Sequence, residues 1–306
     1  MRIRPENALY IKLGKGGAWE TECIDQRQTL RIEFREASHA LCVEERWDEV
    51  ERELGRGAKS SGAAADWLRQ VQLFYTASPN VLWVTLCRGH LWWCRSKPVV
   101  TMSPSGDYRE RAAIEPWSKC DIRGTPLTFS RLSGKLLAVS GYRGTICQVR
   151  EFDYLVNKIN AKPHPFAKAA AAARSHLVSG VEDIVRHLHW RDFEILIDLI
   201  LGQAGWRRIS ELGGTKDTLD LELESALTSE RYGVQVKSQA NAADLNTYRR
   251  RVEGRGFHRC YFIVHSPSGD LNPGSPVGAV QVLGAAQVAE WSVKYGLVDW
   301  IIDRAG

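Results

Sequence analysis

Within residues 213–239, GGTKDTLDLELESALTSERYGVQVKSQ, an acid and an amide–lysine pair stand where two neighbouring strands would bring them together. Asp220 opens one alternating apolar run, Leu219 to Glu224, and Tyr232 to Lys237 forms the next. The intervening ALTSER stretch is turn-like enough to make the runs neighbours. Successive strand side chains point to opposite faces, so Gln235 and Lys237 share one face and Val234 and Val236 the other. Asp220, Gln235 and Lys237 can then converge at one end of a sheet. Such a cluster suits Mg²⁺ or Mn²⁺, because one or two carboxylates, water and substrate phosphate oxygens suffice for a hard cation. The peptide oxygen of Val236 is a further candidate ligand. A lysine beside the metal can hold or deprotonate an attacking water and offset charge on a phosphorane-like transition state. In outline this is phosphodiester hydrolysis.

The order acid, gap, Gln235-Val236-Lys237 resembles the PD-(D/E)xK phosphodiesterase superfamily. It is most similar to the Mrr-type restriction endonuclease branch, where Gln commonly replaces the second acid. Two further pieces fit that branch: Glu194 in RDFEILIDLILGQAGW, on the preceding helix, and Gly213-Gly214 ahead of the aspartate. Lys216-Asp217-Thr218-Leu219-Asp220 departs from the family's lead-in by being a residue tighter and lacking an inner glycine, which leaves the role of Asp217 open. The resemblance spans roughly residues 176–290. It implies a restriction-endonuclease-like mixed sheet flanked by helices and a Mg²⁺-dependent (or Mn²⁺-dependent) DNA endonuclease of restriction or anti-phage type. Asp220 and Glu194 would be metal ligands, Lys237 would handle the water, and Gln235 would orient it or stand in for an acid. A nucleic-acid binder or sensor whose nuclease fold does not cut, and a nuclease acting on RNA, are the alternatives. Cutting both strands takes two sites, so a homodimer is expected.

The elements around these residues read as α/β (α+β) in two domains. Residues 1–160 form a β-rich, barrel-like domain with strands at Tyr10–Leu13, Thr29–Phe34 and Val81–Leu86, helices near 44–54 and 67–74, and a loop at 55–66. A hairpin turning at Arg88-Gly89-His90 carries Trp83, Trp92 and Trp93. These three could form an aromatic pocket for a flipped or modified base, or simply fill a core, and the region is faintly similar to PUA-like readers of modified bases. Residues 161–176, with two prolines and an alanine block, read as a linker that turns helical after Pro165. From 177 to 306, helix and strand alternate. Phe193, Leu196, Ile197, Ile200 and Leu201 repeat as one face of a buried helix, with Glu194 and Asp198 as its acidic stripe. A helix over 241–253 carries Arg249, Arg250 and Arg251, with Arg255 beyond. It suits sequence-blind phosphate contacts or a solvated face equally.

Composition narrows the rest. The 306 residues carry a net charge of +5. The excess lies in the first 160, with 24 basic against 19 acidic residues, whereas the remainder holds 17 of each. A polyanion partner fits such a patch, as does plain solvation. Seven cysteines without a C-x-x-C pair, and no signal peptide, point to reduced thiols in a cytoplasm and away from zinc. His187-Leu-His189 lacks companions at zinc-ligand spacing. No G-x-S-x-G elbow or Walker-type loop is present. No uncharged run reads as membrane-crossing.

Overall fold

The computed structural model describes residues 2–103, 106–209, 219–225, 227–271 and 280–305. Two compact units divide the chain, Met1–His164 and Pro165–Gly306.

The first unit contains strands β1 (Ala8–Ile11), β2 (Thr29–Ile32), β3 (Leu82–Cys87), β4 (His90–Met102), β5 (Arg109–Ala113) and β6 (Ile146–Gln148). Its helices are α1 (His39–Val43), α2 (Trp47–Gly57), α3 (Ser61–Thr76), α4 (Gly134–Leu137) and α5 (Phe152–Ile159). The strands form one sheet in the order β2-β5-β4-β3-β1-β6, with β1 and β3 parallel and the other pairs antiparallel. Every residue of β1 is buried because its two faces feed two cores. Leu9 and Ile11 pack with Trp83 and with Phe74 of α3, while Ala8 and Tyr10 pack with Leu82, Val84 and with Leu155 and Ile159 of α5. This differs from the expected barrel. Among the described residues the end strands β2 and β6 do not pair, and helices rather than closure cover the sheet.

Two local expectations change. Residues 55–66 are not a loop: α2 runs to Gly57 and α3 starts at Ser61, with the Ser60 hydroxyl accepting from Ala63 N–H at 3.2 Å. The small residues there are an N-cap and a helix-favouring alanine turn. The hairpin turn is tighter than read. Cys87 pairs with His90, leaving Arg88 and Gly89, at φ 51° and 73°, as the two left-handed residues of a primed turn.

The second unit comprises α6 (Pro165–Val185), α7 (Trp190–Gln203), β7 (Trp206–Arg208), β8 (Leu221–Ser225), β9 (Arg231–Ala240), α8 (Ala242–Val252), β10 (Arg259–Pro267), β11 (Val280–Leu283), α9 (Ala285–Lys294) and α10 (Val298–Arg304). Its mixed sheet runs β11-β10-β9-β8-β7, parallel from β9 to β11 and antiparallel from β7 to β9. Helices cover both faces. Val181, Val185, Leu196 and Ile197 pack on Val234, Val236 and Ile263, while Leu245, Tyr248 and Val252 of α8 pack on Phe262, Val264 and Val282. Of the stretch expected as a linker, residues 165–176 are the exposed first half of α6, with Pro165 at a helix start where its missing N–H costs nothing. The glycine lead-in and Asp217 lie outside the described residues.

Among the described residues no helix is long and apolar enough to cross a membrane, and none of the seven cysteines is in a disulfide.

Candidate active site

The antiparallel register of β8 and β9 brings Leu221 opposite Val234 and Leu223 opposite Tyr232. Asp220 therefore falls just before β8, beside the second half of β9. There its carboxylate continues the ladder: Oδ2 accepts the Val236 N–H at 2.6 Å and a second bond from Gln235 Nε2. Gly233 permits this approach, since a Cβ on it would lie 2.8 Å from the Leu219 side chain. The Gly233 carbonyl is held by the Tyr248 hydroxyl at 2.9 Å. Helix α8 follows β9 directly because Asn241 and Asp244 form a reciprocal capping box.

Lys237 is exposed two residues beyond the buried Gln235, on the same face of β9. Glu194 comes from α7, which packs against the Val234 and Val236 face. The two sets meet electrostatically at the end of the sheet. Burial raises the Asp220 carboxyl above its ordinary range, against the opposing Val236 N–H, the Lys237 ammonium, the Gln235 amide and the Arg251 charge. Burial also raises Glu194, and the Asp220 charge raises it further, while Lys237, Arg208 and Arg191 pull it down. The residues expected to converge, Glu194, Asp220, Gln235 and Lys237, thus share one field in which two carboxylates are under-compensated.

The donor set suits a hard divalent cation. Among the described residues nothing donates a hydrogen bond to Asp220 Oδ1 or to the Glu194 carboxylate. A strand residue's N–H and C=O point to the same side, so the Val236 peptide oxygen faces the edge occupied by Asp220. Two carboxylates and a peptide oxygen leave the remaining positions to water and phosphate, as Mg²⁺ prefers. No group of three or more His, Cys, Asp or Glu residues capable of holding a metal occurs among the described residues.

Arg208 belongs to this neighbourhood and was not singled out in the sequence. Its guanidinium lies 3.5 Å from the Asp220 peptide oxygen and 3.8 Å from the Asp198 carboxylate. A three-residue strand has no readable period, so only its place after the Glu194 helix could have marked it. Of the arginines on α8, Arg249 is half-buried on Asn246 at 3.1 Å and Arg250 is exposed beside Thr247 at 3.5 Å. Arg251 is exposed, with its charge felt at Asp220. Arg255 instead joins an ion cluster, 3.7 Å from Glu222, which also pairs with Arg231 at 2.9 Å.

Of the two readings of the indoles, the structure has them filling cores. Trp83 is fully enclosed and sits edge-on to Phe74 with centroids 5.9 Å apart. Trp92 packs at the same core, flanked by Arg88 and Lys119 at 4.9 and 5.6 Å. Trp93, the next residue, turns to the opposite face and donates its ring N–H to the Cys120 carbonyl at 2.8 Å. Strand alternation separates Trp92 from Trp93, and the three cannot line one cavity.

No known protein family and no curated protein matches this chain.

Proposed function

We propose that the protein is a Mg²⁺-dependent (or Mn²⁺-dependent) DNA endonuclease whose second unit is a PD-(D/E)xK core similar to the Mrr-type branch. The observation that carries this reading is the Asp220 carboxylate, pinned by Gln235 and the Val236 N–H with one oxygen left over, in the field of both Glu194 and Lys237. The succession α7, β7–β9, α8, β10 is in keeping with that core. Restriction or anti-phage defence follows from the same resemblance; a homodimer would supply the two sites that cutting both strands takes, and the first unit, which the resemblance does not reach, would choose the DNA.

Asp220, Glu194 and the Val236 peptide oxygen would hold the cation. When bound, it supplies Lewis acidity toward the scissile phosphate and makes a coordinated water more acidic. Gln235 fixes the rotamer of Asp220 without adding a third negative charge. Metal affinity is therefore weaker than in an acid-x-Lys site and depends more on substrate phosphate. Lys237, exposed on β9, would orient the attacking water and, as an ammonium, offset charge gathering on the phosphate. Arg251, whose charge acts on Asp220, and its exposed neighbour Arg250 would contact the phosphates of a bound strand.

The test is a cleavage assay of the purified chain on plain, methylated and hydroxymethylated duplex DNA and on RNA, with Mg²⁺ or with EDTA. Metal-dependent cutting of DNA is expected, and Lys237→Ala should lower the rate by about 10²-fold or more. Equal cutting by Lys237→Ala overturns the assignment. Binding that survives EDTA without cleavage under any condition would make the protein a nucleic-acid binder, and cutting confined to RNA would reassign the substrate.

A further inference from the structure

Strand β7 ends at Arg208, and its register fixes the side of the sheet on which that side chain stands. Arg208 lies opposite Leu223, and Leu223 belongs to the core that α7 covers, so the guanidinium is on the α7 side. There it reaches two elements at once. One nitrogen lies 3.8 Å from Asp198 Oδ1 on α7, and the other donates at 3.5 Å to the peptide oxygen of Asp220, just before β8. Asp198 follows Glu194 by one helical turn along the same face of α7, so an arginine anchored at Asp198 lies alongside Glu194. Its charge acts on the Glu194 carboxyl, as do those of Lys237 and Arg191. Those two residues are exposed, whereas the Arg208 side chain is only 24% exposed and held by two partners, so its charge is the least screened of the three.

We propose that Arg208 is a positioning residue that acts as the counter-cation of the Glu194 and Asp220 carboxylates until DNA arrives, and so makes Mg²⁺ loading depend on substrate. This rests on the metal site proposed above and adds a control on it. Burial opposes the charge on both carboxylates, and a fixed positive charge beside them relieves that cost. The same charge repels a divalent cation entering between them. A DNA phosphate changes the balance, because it brings oxygen ligands for the metal and negative charge that offsets the guanidinium. The repulsion of Mg²⁺ by Arg208 is therefore largest in the free protein and falls when DNA is bound. Such a coupling is reciprocal: the factor by which DNA raises Mg²⁺ affinity is the factor by which Mg²⁺ raises DNA affinity.

Calorimetric titration of MgCl₂ into the full chain without DNA tests the charge, with Arg208→Gln and Arg208→Lys beside the parent. Arg208→Gln should bind Mg²⁺ more tightly by roughly three- to tenfold, and the gain should shrink as KCl is raised. Arg208→Lys keeps the charge and should bind as the parent does. An arginine that only supports the fold gives the opposite sign, with both variants binding more weakly. That result overturns the proposal, as does unchanged binding by Arg208→Gln. A second arm reads the Mg²⁺ concentration for half-maximal cutting of duplex DNA. In the parent it should lie below the DNA-free dissociation constant, and Arg208→Gln should narrow that gap; an equal gap in both overturns the dependence on substrate. The DNA-free arm needs no cutting, so a chain that binds Mg²⁺ without cleaving DNA fails as an endonuclease while still deciding the role of Arg208. If neither parent nor variants bind Mg²⁺, the metal site and its counter-cation are overturned together.

Discussion

Asp220 holds a charge that burial opposes, and one of its two oxygens is spent on neighbours that fix its orientation. Its folded-state pKa is raised above the ordinary 3.8, so between those values the native chain binds a proton the unfolded chain has released. Stability therefore falls as pH rises through that window and stays lower above it. Asp220→Asn keeps an oxygen acceptor for Gln235 and Val236 and removes the charge. At neutral pH without metal it should be more stable than the parent by about 1 kcal/mol, an advantage that vanishes below pH 3.8 where both forms are neutral. Urea unfolding at the two pH values measures this. The parent should gain thermal stability from MgCl₂ and the same variant should not, because binding to the native state alone raises its stability. A variant less stable at neutral pH, or one stabilised by Mg²⁺ as much as the parent, would refute the account. This convergence was visible in the sequence because period-two alternation places Gln235 and Lys237 on one face whatever the tertiary setting. Arg208 was not visible, because its position comes from tertiary placement of a three-residue strand.

At the scale of elements, the long amphipathic helix α7 and the runs of β1, β3, β9 and β10 were legible from periodicity. The role of the tryptophans was not, since an indole-rich strand reads the same whether its rings fill two cores or line one cavity. Neither was the use of buried arginine. Arg111, fully enclosed on β5, donates to the carbonyls of Phe74 and Ala77 at the end of α3 at 2.6 Å each, and to that of Lys97 at 2.9 Å. Burial lowers its pKa to about 10. Its planar fork closes a helix end and an irregular part of β4 together, which a lysine's single ammonium cannot reproduce. Arg111→Lys should therefore cost about 2–4 kcal/mol in chemical denaturation. A loss under 1 kcal/mol would mean that water serves those carbonyls as well. On α8 the expected signature is different. If Arg250 and Arg251 contact phosphates, alanine at each should weaken DNA binding similarly for every sequence and lessen the slope of log affinity against log salt by about 1. A sequence-dependent loss would instead assign them to base contacts.

For the molecule as a whole, the two sheets share no strand, and each unit has its own buried clusters. Units of this size bury enough of their surface to fold alone. The boundary at Pro165 was approximately legible from the prolines and the alanine block, whose helical continuation follows from alanine's high propensity. The charge distribution sharpens what separation should do. The basic excess lies within the first 160 residues, and the remainder is balanced. A fragment of residues 165–306 should therefore unfold cooperatively and retain metal-dependent, Lys237-dependent cleavage. Its DNA affinity should be lower and depend less steeply on salt than that of the full chain, because fewer phosphates are neutralised. Parallel cleavage and binding titrations across salt concentrations compare the two. If the fragment folded and bound with the full chain's salt slope, the first unit would contribute no phosphate contacts.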